Sequence, residues 1–307
     1  MIRVDTAAPP STRADAPWRL RALTVAETVP ARFLARVHSV FHRVSNLELE
    51  SGVLISVMDA ALPAQPGAVR VVVPPGLDFS VLLAPGEPAA CRAGVLRVGA
   101  ALHIDLRGGE PWRAHLPRFT WTPARERVWR AVWACWCQAA PHEGSVVLAR
   151  GLTAAQAALA ARDAGALLAA AESLLGVGPG LTPSGDDALL GLLVALGCMA
   201  PADPSVDAMR RTLAAWTRAN AGRSTAIARA YLLHGAGGYF GAQWIALAEA
   251  LVSGDPVRAE DATRDALQLG ASSGADGVQG MLAGLAALHP GWERLGVGAL
   301  APLPPQS

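Results

Sequence analysis

Gly176-Val-Gly-Pro-Gly-Leu-Thr-Pro-Ser-Gly-Asp-Asp187 is the most unusual stretch of this chain, with four glycines and two prolines directly before an apolar segment. The spacing of apolar residues after it predicts a helix over Ser184–Met199. Glycines let a backbone approach a ligand closely, and the free amides of a first helical turn attract anions. The stretch therefore predicts a ligand-binding loop at the start of a buried helix.

A purely structural interpretation of the same residues stays open. Ser184 is a residue type favoured at helix N-caps, and Asp187, three residues later, completes a capping-box pattern. Carboxylates in the first turn also complement the helix dipole. Under this interpretation the loop only begins a helix, and Asp186 and Asp187 have no chemical role.

Two further segments resemble the first in composition. Gly270-Ala-Ser-Ser-Gly-Ala-Asp276 again places serine, glycine and aspartate before an apolar helix, and Gly222-Arg-Ser-Thr225 places an arginine and two hydroxyls at another predicted helix start. Arginine binds phosphate or carboxylate with two parallel hydrogen bonds. We expect the helix starts at Ser184 and Ser273 to face one another across a pocket, although matching caps also arise independently.

The remaining sequence divides into regions that differ in composition and in hydrophobic pattern. Residues 1–30, rich in proline, alanine and threonine, are predicted to form a flexible N-terminal arm. Residues 31–122 contain short apolar runs divided by proline and glycine, which predict a β-rich barrel or sandwich. Residues 123–307 are rich in alanine and leucine with helical periodicity. The fold class expected is α+β, with an α-helical C-terminal domain that carries the glycine-rich loop.

Eight helices are expected in the C-terminal region from its apolar periodicity and its glycine and proline breaks. Their predicted ranges are Pro123–Ala140, Thr153–Leu175, Ser184–Met199, Ser205–Asn220, Ser224–Leu233, Gly241–Ser253, Pro256–Leu269 and Ser273–His289.

The composition excludes several classes of function. The chain has 307 residues, 52% of them apolar, and a formal net charge of +1, which gives no general attraction to nucleic acid or to an anionic membrane. All 26 basic residues are arginine, so chemistry that needs a lysine, such as a Schiff base or a P-loop, is absent. The N-terminus lacks the apolar core of a signal peptide, and the apolar run Ala188–Ala202 is shorter than a spanning helix. We expect a cytoplasmic protein.

Three blocks of the sequence resemble a bacterial family that was long described only as a domain of unknown function and that includes the AllH subunit of oxamate carbamoyltransferase. The most specific block is Gly178-Pro-Gly-Leu-Thr-Pro-Ser-Gly-Asp-Asp187. The blocks Leu269–Gly280 and Val37–Leu47 are similar to its other two, and the resemblance covers about residues 35–290.

The resemblance implies a role in allantoin and purine breakdown. It implies an assembly of three different subunits that converts oxalurate and phosphate to oxamate and carbamoyl phosphate. The partners expected are therefore other transferase subunits and a small carboxylate, carbamoyl or phosphate ligand. A related carbamoyl or acyl transfer fits the same resemblance.

Phosphorolysis of a carbamoyl group needs a phosphate site and donors for the oxyanion that develops on the carbonyl. Because two carboxylates repel phosphate, we expect Arg223 or Mg²⁺ between them. The candidate catalytic residues are Asp186, Asp187 and Arg223. The candidate substrate- and phosphate-binding residues are Gly178, Gly180, Thr182, Ser184, Gly185, Ser224, Ser272, Ser273, Gly274 and Asp276.

Two alternatives remain at this point. The chain is a non-catalytic structural or small-anion-binding subunit, or it is a metal-dependent hydrolase that uses Asp186 and Asp187. The hydrolase has less support, because the sequence offers no set of histidine ligands.

Overall fold

The computed structural model describes residues 17–139 and 146–291. The chain divides into two compact units. The first is built mainly from residues up to Pro111, and the second mainly from residues after it. The short segments Ala26–Thr28 and Leu62–Gly67 belong to the second unit.

The first unit is a closed β-barrel. Its strands are β1 (Trp18–Ala26), β2 (Phe33–Val40), β3 (Val44–Leu49), β4 (Leu54–Asp59), β5 (Ala68–Val71), β6 (Pro88–Arg92), β7 (Val95–Val98), β8 (Leu102–Asp105) and β9 (Glu110–Trp112). Their order is β5-β4-β3-β2-β6-β7-β8-β1-β9, and β1 also pairs with β5, which closes eight strands into a barrel. The expected α+β class is confirmed, and the barrel replaces the sandwich alternative.

Apolar side chains fill the barrel. Leu47, Val57, Val69, Leu96 and Ile104 are fully buried in one cluster with the short helix α1 (Phe79–Leu82). Closing the sheet removes the exposed strand edges that an open sheet would present.

The predicted arm over residues 1–30 is wrong from Trp18 onward, since β1 lies within it. The composition of the segment, rich in proline and alanine, suggested an irregular structure. However, β1 has a hydrogen-bonding neighbour on both sides, β5 and β8, and places Ala22 and Ala26 inside the protein. Pairing with distant strands decides the conformation here. The first 16 residues lie outside the described part of the chain.

The second unit is helical. Its helices are α2 (Pro123–Ala139), α3 (Val146–Ala161), α4 (Ala164–Leu174), α5 (Ser184–Met199), α6 (Pro204–Asn220), α7 (Ala226–Ala236), α8 (Ala242–Ser253), α9 (Pro256–Leu267) and α10 (Ser273–Ala287). Short 3₁₀ turns follow α5 at Ala200–Ala202 and α6 at Ala221–Arg223.

The helix predicted over Thr153–Leu175 is in fact two helices, α3 and α4. The chain turns at Arg162, whose φ is 57°, and the side chain of Asp163 accepts a hydrogen bond from the backbone N–H of Ala166. A left-handed residue followed by a capping aspartate ends one helix and starts the next. Neither residue interrupts the apolar periodicity, so the sequence predicted one continuous helix.

Helix α5 lies at the centre of the helical unit. Fourteen of its sixteen residues are buried, including Asp186 and Asp187. Among the described helices, the segment Ser184–Ala202 is long and apolar enough to cross a membrane by composition, yet 83% of that window is buried inside the protein. This burial is what a core helix shows.

Candidate functional site

Helices α5 and α10 begin side by side and run in the same direction. A Cβ atom on Gly280 would lie 2.1 Å from the carbonyl oxygen of Ala188, and one on Gly284 would lie 2.7 Å from the Cβ of Ala195. Because residue numbers rise together along the contact, the two helices are parallel. Their glycines permit backbone contact, and their N-termini therefore meet at one end of the unit.

At that end the two helices exchange equivalent contacts. The hydroxyl of Ser273 lies beside Asp187, and the hydroxyl of Ser184 lies beside Asp276, where each lowers the pKa of the neighbouring carboxyl. Each aspartate stands three residues after the serine of its own helix. The two predicted segments thus come together as matched halves that touch directly.

The glycine-rich loop joins this cluster through a hydroxyl. Thr182 Oγ1 and Ser273 Oγ lie 2.6 Å apart and share a hydrogen bond. Ser272, the residue before α10, also lies beside Asp276 and lowers the pKa of its carboxyl. The loop before α5 is therefore fixed to the start of α10.

Asp186 makes a separate set of contacts. Its Oδ1 accepts a hydrogen bond of 2.8 Å from the N–H of Gly176, and its Oδ2 accepts one from the hydroxyl of Ser224. Asp186 therefore joins the loop and the segment before α7 to α5. Burial still raises the pKa of its carboxyl.

Asp187 is the most perturbed carboxyl of the cluster. Only 7% of its surface is exposed, and its Oδ2 has no hydrogen-bond partner. Burial, with a smaller contribution from the negative charges of Asp276 and Asp186, raises its pKa to about 8, although the hydroxyls of Ser273 and Thr182 oppose the rise. Asp187 consequently carries a proton at neutral pH.

Asp276 repeats the arrangement on the partner helix. Its Oδ2 is also buried without a hydrogen-bond partner, and burial raises the pKa of its carboxyl. Two buried carboxyl oxygens without a hydrogen-bond partner therefore lie near the starts of two adjacent helices. Buried polar atoms are nearly always hydrogen-bonded, so this pair is an exception that suggests a ligand site.

Tyr231 is a neighbour that the sequence analysis missed. Burial and the nearby charge of Asp187 both raise the pKa of its hydroxyl. It lies on α7, whereas Ser224 lies just before that helix. Its position seven residues after Ser224 was the available signal in the sequence.

The predicted anion-binding amides are wrong. The N–H of Gly185 donates to the carbonyl of Val177 at 2.8 Å, and the N–H of Gly274 donates to Leu269 at 3.0 Å. The N–H groups of Asp186 and Asp187 both donate to the carbonyl of Pro183. Because these donors already have backbone acceptors, they are not available to a phosphate.

The two glycines serve packing instead. A Cβ on Gly185 would lie 1.8 Å from the carbonyl oxygen of Leu174, and one on Gly274 would lie 2.0 Å from that of Ala266. Gly185 allows the start of α5 to pack closely against the end of α4, and Gly274 allows the start of α10 to pack against the end of α9. In the loop, Gly178 and Gly180 have φ angles of 113° and 95°, which favour glycine.

The predicted capping box is also wrong. Residue Pro183 occupies the N-cap of α5, and no side chain caps this helix. Ser272 occupies the N-cap of α10, again without a side-chain capping bond. The serines and aspartates of both helices are directed to each other, so the capping explanation does not account for them.

Arg223 does not lie among the carboxyls as expected. Its guanidinium forms an exposed, bidentate ion pair with Glu172 of α4, at 2.6 and 2.8 Å. The next residue, Ser224, does reach Asp186. The expected positive charge between the carboxylates is therefore not supplied by Arg223.

The described residues hold no cluster of three or more histidine, cysteine or acidic side chains placed to bind one metal ion. A Mg²⁺ ion at the paired helix starts would be held by the carboxyl groups of Asp187 and Asp276. Water and substrate would have to complete its six ligands.

Two family models match the chain. Residues 174–285 match the model described as oxamate carbamoyltransferase subunit AllH, and residues 16–111 match the AllH family N-terminal domain. The first match contains both helix starts and the loop before α5. No curated protein and no solved structure matches the chain significantly.

Proposed function

Because the chain belongs to the AllH family of oxamate carbamoyltransferase subunits, we propose that it works in a hetero-oligomer that converts oxalurate and phosphate to oxamate and carbamoyl phosphate. Its contribution is the cluster of carboxyls and hydroxyls where α5 and α10 begin. The observation that carries this role is the pair of buried, unpartnered oxygens on Asp187 and Asp276.

The reaction needs a proton at a defined atom. A phosphate oxygen bonds to the carbamoyl carbon of oxalurate, the bond from that carbon to the inner nitrogen breaks, and the nitrogen leaves as the amide of oxamate. The leaving nitrogen must gain a proton. Asp187, whose pKa of about 8 keeps it protonated at neutral pH, is suited to give that proton.

We assign the phosphate site to another subunit of the complex. In this chain the first-turn amides already donate to backbone carbonyls, and Arg223 is paired with Glu172. A phosphate placed there would lie beside the acidic side chains Asp186 and Asp276 without a cation to balance its charge, which is unfavourable in a buried site. The two substrates of the reaction thus require groups from two chains.

The alternative is a subunit that supports its partners without taking part in chemistry. The hydrogen bonds of these amides and the ion pair of Arg223 also favour this alternative, because they occupy the groups that were expected to bind an anion. The two functions differ in what they predict for Asp187, which the alternative leaves without a role in turnover.

The test is oxamate release by the complex reassembled from this chain and its co-purified partner subunits. Asp187→Asn removes the transferable proton while keeping the side-chain shape, so we expect kcat to fall by about 100-fold or more. Asp163→Asn is the matched control, because asparagine also caps a helix well and α4 should be unchanged. Full activity of assembled Asp187→Asn complex would contradict the proposed function and support the structural alternative.

A further inference from the structure

We propose that the cluster at the starts of α5 and α10 binds an uncharged group that carries N–H donors, such as a carboxamide or ureide, and rejects carboxylate and phosphate. This inference rests on the proposed function and deepens it, because it states which end of the substrate the cluster holds. The anionic end then lies outside the cluster.

The cluster contains two buried carboxyl oxygens that have no hydrogen-bond partner. Asp187 is 93% buried, being 7% exposed, and its Oδ2 has no partner. The Oδ2 of Asp276 on the adjacent helix is buried and unpartnered as well. Leaving these atoms unpaired is costly: the protonated Asp187 offers an O–H donor and the Oδ2 of Asp276 an acceptor, so a ligand that has both a carbonyl and an N–H group gains affinity here.

The electric charge of the cluster also determines which ligands it accepts. Within the described part of the chain, Asp186, Asp187 and Asp276 make no ion pair with any arginine or histidine. The nearby Arg223 is occupied by Glu172, and the amides of Gly185 and Gly274 donate to carbonyls. Although Asp187 itself is protonated, an anion would lie against the unpaired oxygen of Asp276 and near Asp186, with no compensating cation or free amide from these groups.

The two halves of the cluster contain the same kinds of polar group. Each half offers a carboxyl and a serine hydroxyl, Asp187 with Ser273 and Asp276 with Ser184. A carboxamide presents N–H donors on one atom and a carbonyl acceptor on the other. The Oδ2 of Asp276 can accept the former, and the latter can accept from the O–H of the protonated Asp187 or from a serine hydroxyl.

Oxamate and oxalate are the probes that test this inference. They have the same planar shape and differ in one group, since the amide of oxamate is replaced by a second carboxylate in oxalate. Both are measured as inhibitors of the whole complex acting on oxalurate, with wild-type chain, Asp276→Asn and Asp265→Asn. Asp265 lies exposed on α9 and serves as the matched control.

We expect oxamate to inhibit the wild-type complex at least about tenfold more tightly than oxalate, because a site built for N–H donors rejects an analogue that lacks them. Asp276→Asn replaces one acceptor oxygen by an NH₂ donor, so the preference should shrink. Asp265→Asn should keep it. Equal inhibition by the two compounds, or an unchanged preference in Asp276→Asn, would overturn the inference.

The result that contradicts the proposed function differs from the result that contradicts this inference. A complex that does not release oxamate from oxalurate contradicts that function alone. The preference is then measured as the rise in melting temperature of the same complex with oxamate and with oxalate, and only the ratio of the two decides the inference.

Discussion

Asp187 is the residue at which the structure departs most from what its sequence position suggests. An aspartate in the first turn of a helix is ordinarily an exposed, ionised group that complements the helix dipole. Here it is buried beside two other acidic side chains, and its pKa is raised to about 8. Keeping such a group in a folded core lowers stability, and groups of this kind are typical of functional sites.

This cost predicts a pH dependence of stability. The unfolded chain binds no proton at Asp187 above pH 4, whereas the folded chain keeps one up to about pH 8. The contribution of this residue to the free energy of unfolding is therefore full below about pH 4 and is lost as the pH rises towards 8.

Asp187→Asn should remove this dependence, because asparagine stays neutral at every pH. We expect the variant to be more stable than wild type at pH 8, by roughly 5 kcal/mol, and similar to it at pH 4. Urea unfolding at both pH values is the measurement, with Asp265→Asn as the control that should follow wild type. A variant less stable than wild type at pH 8 would show that Asp187 is an ionised, stabilising group.

Sequence reasoning identified most of the residues in the cluster and misjudged their connections. The shared serine and aspartate spacing at Ser184 and Ser273 indicated two related helix starts, which the structure brings together. It gave no indication that the first-turn amides would be used by backbone carbonyls or that Arg223 would turn towards Glu172. These hydrogen bonds and this ion pair depend on the positions of α4 and α9, which tertiary packing determines.

At the scale of elements, the contact between α5 and α10 positions the cluster. Gly191 and Gly280 stand at equivalent places, since a Cβ on either would lie 2.1 Å from a carbonyl oxygen of the other helix. The backbones touch at these glycines. Any side chain there forces the helix starts apart and separates Asp187 from Ser273.

Gly280→Ala is the variant that tests this contact. The added methyl group meets the backbone of Ala188 and cannot be relieved by a side-chain rotation, so we expect a loss of about 3 kcal/mol in the free energy of unfolding. Gly222→Ala is the control in the same unit, because nothing lies within 4 Å of a Cβ at that position. Equal stability of the two variants in urea unfolding would contradict the described contact.

The elements themselves were predicted unevenly from sequence. The bounds of α5 agree with prediction because a proline-rich loop and a change of composition mark both of its ends. The division of α3 from α4 was missed because Arg162 adopts its left-handed conformation without a glycine. Strand β1 was missed because its pairing with β5 and β8 involves residues far away in sequence.

At the scale of the whole molecule, a closed barrel and a helical unit lie on one chain, and the family models match a part of each. The described residues provide acceptors and a transferable proton at one cluster, but no group free to hold phosphate was found there. The proposed reaction between oxalurate and phosphate therefore needs a second chain, which agrees with the description of the family as subunits of an enzyme.

The most direct measurement is oxamate release from oxalurate and phosphate by the purified partner subunits, with and without this chain. We predict that product forms only when this chain is present and assembled with its partners. Release at an equal rate by the partners alone would contradict the claim that this chain contributes to the reaction.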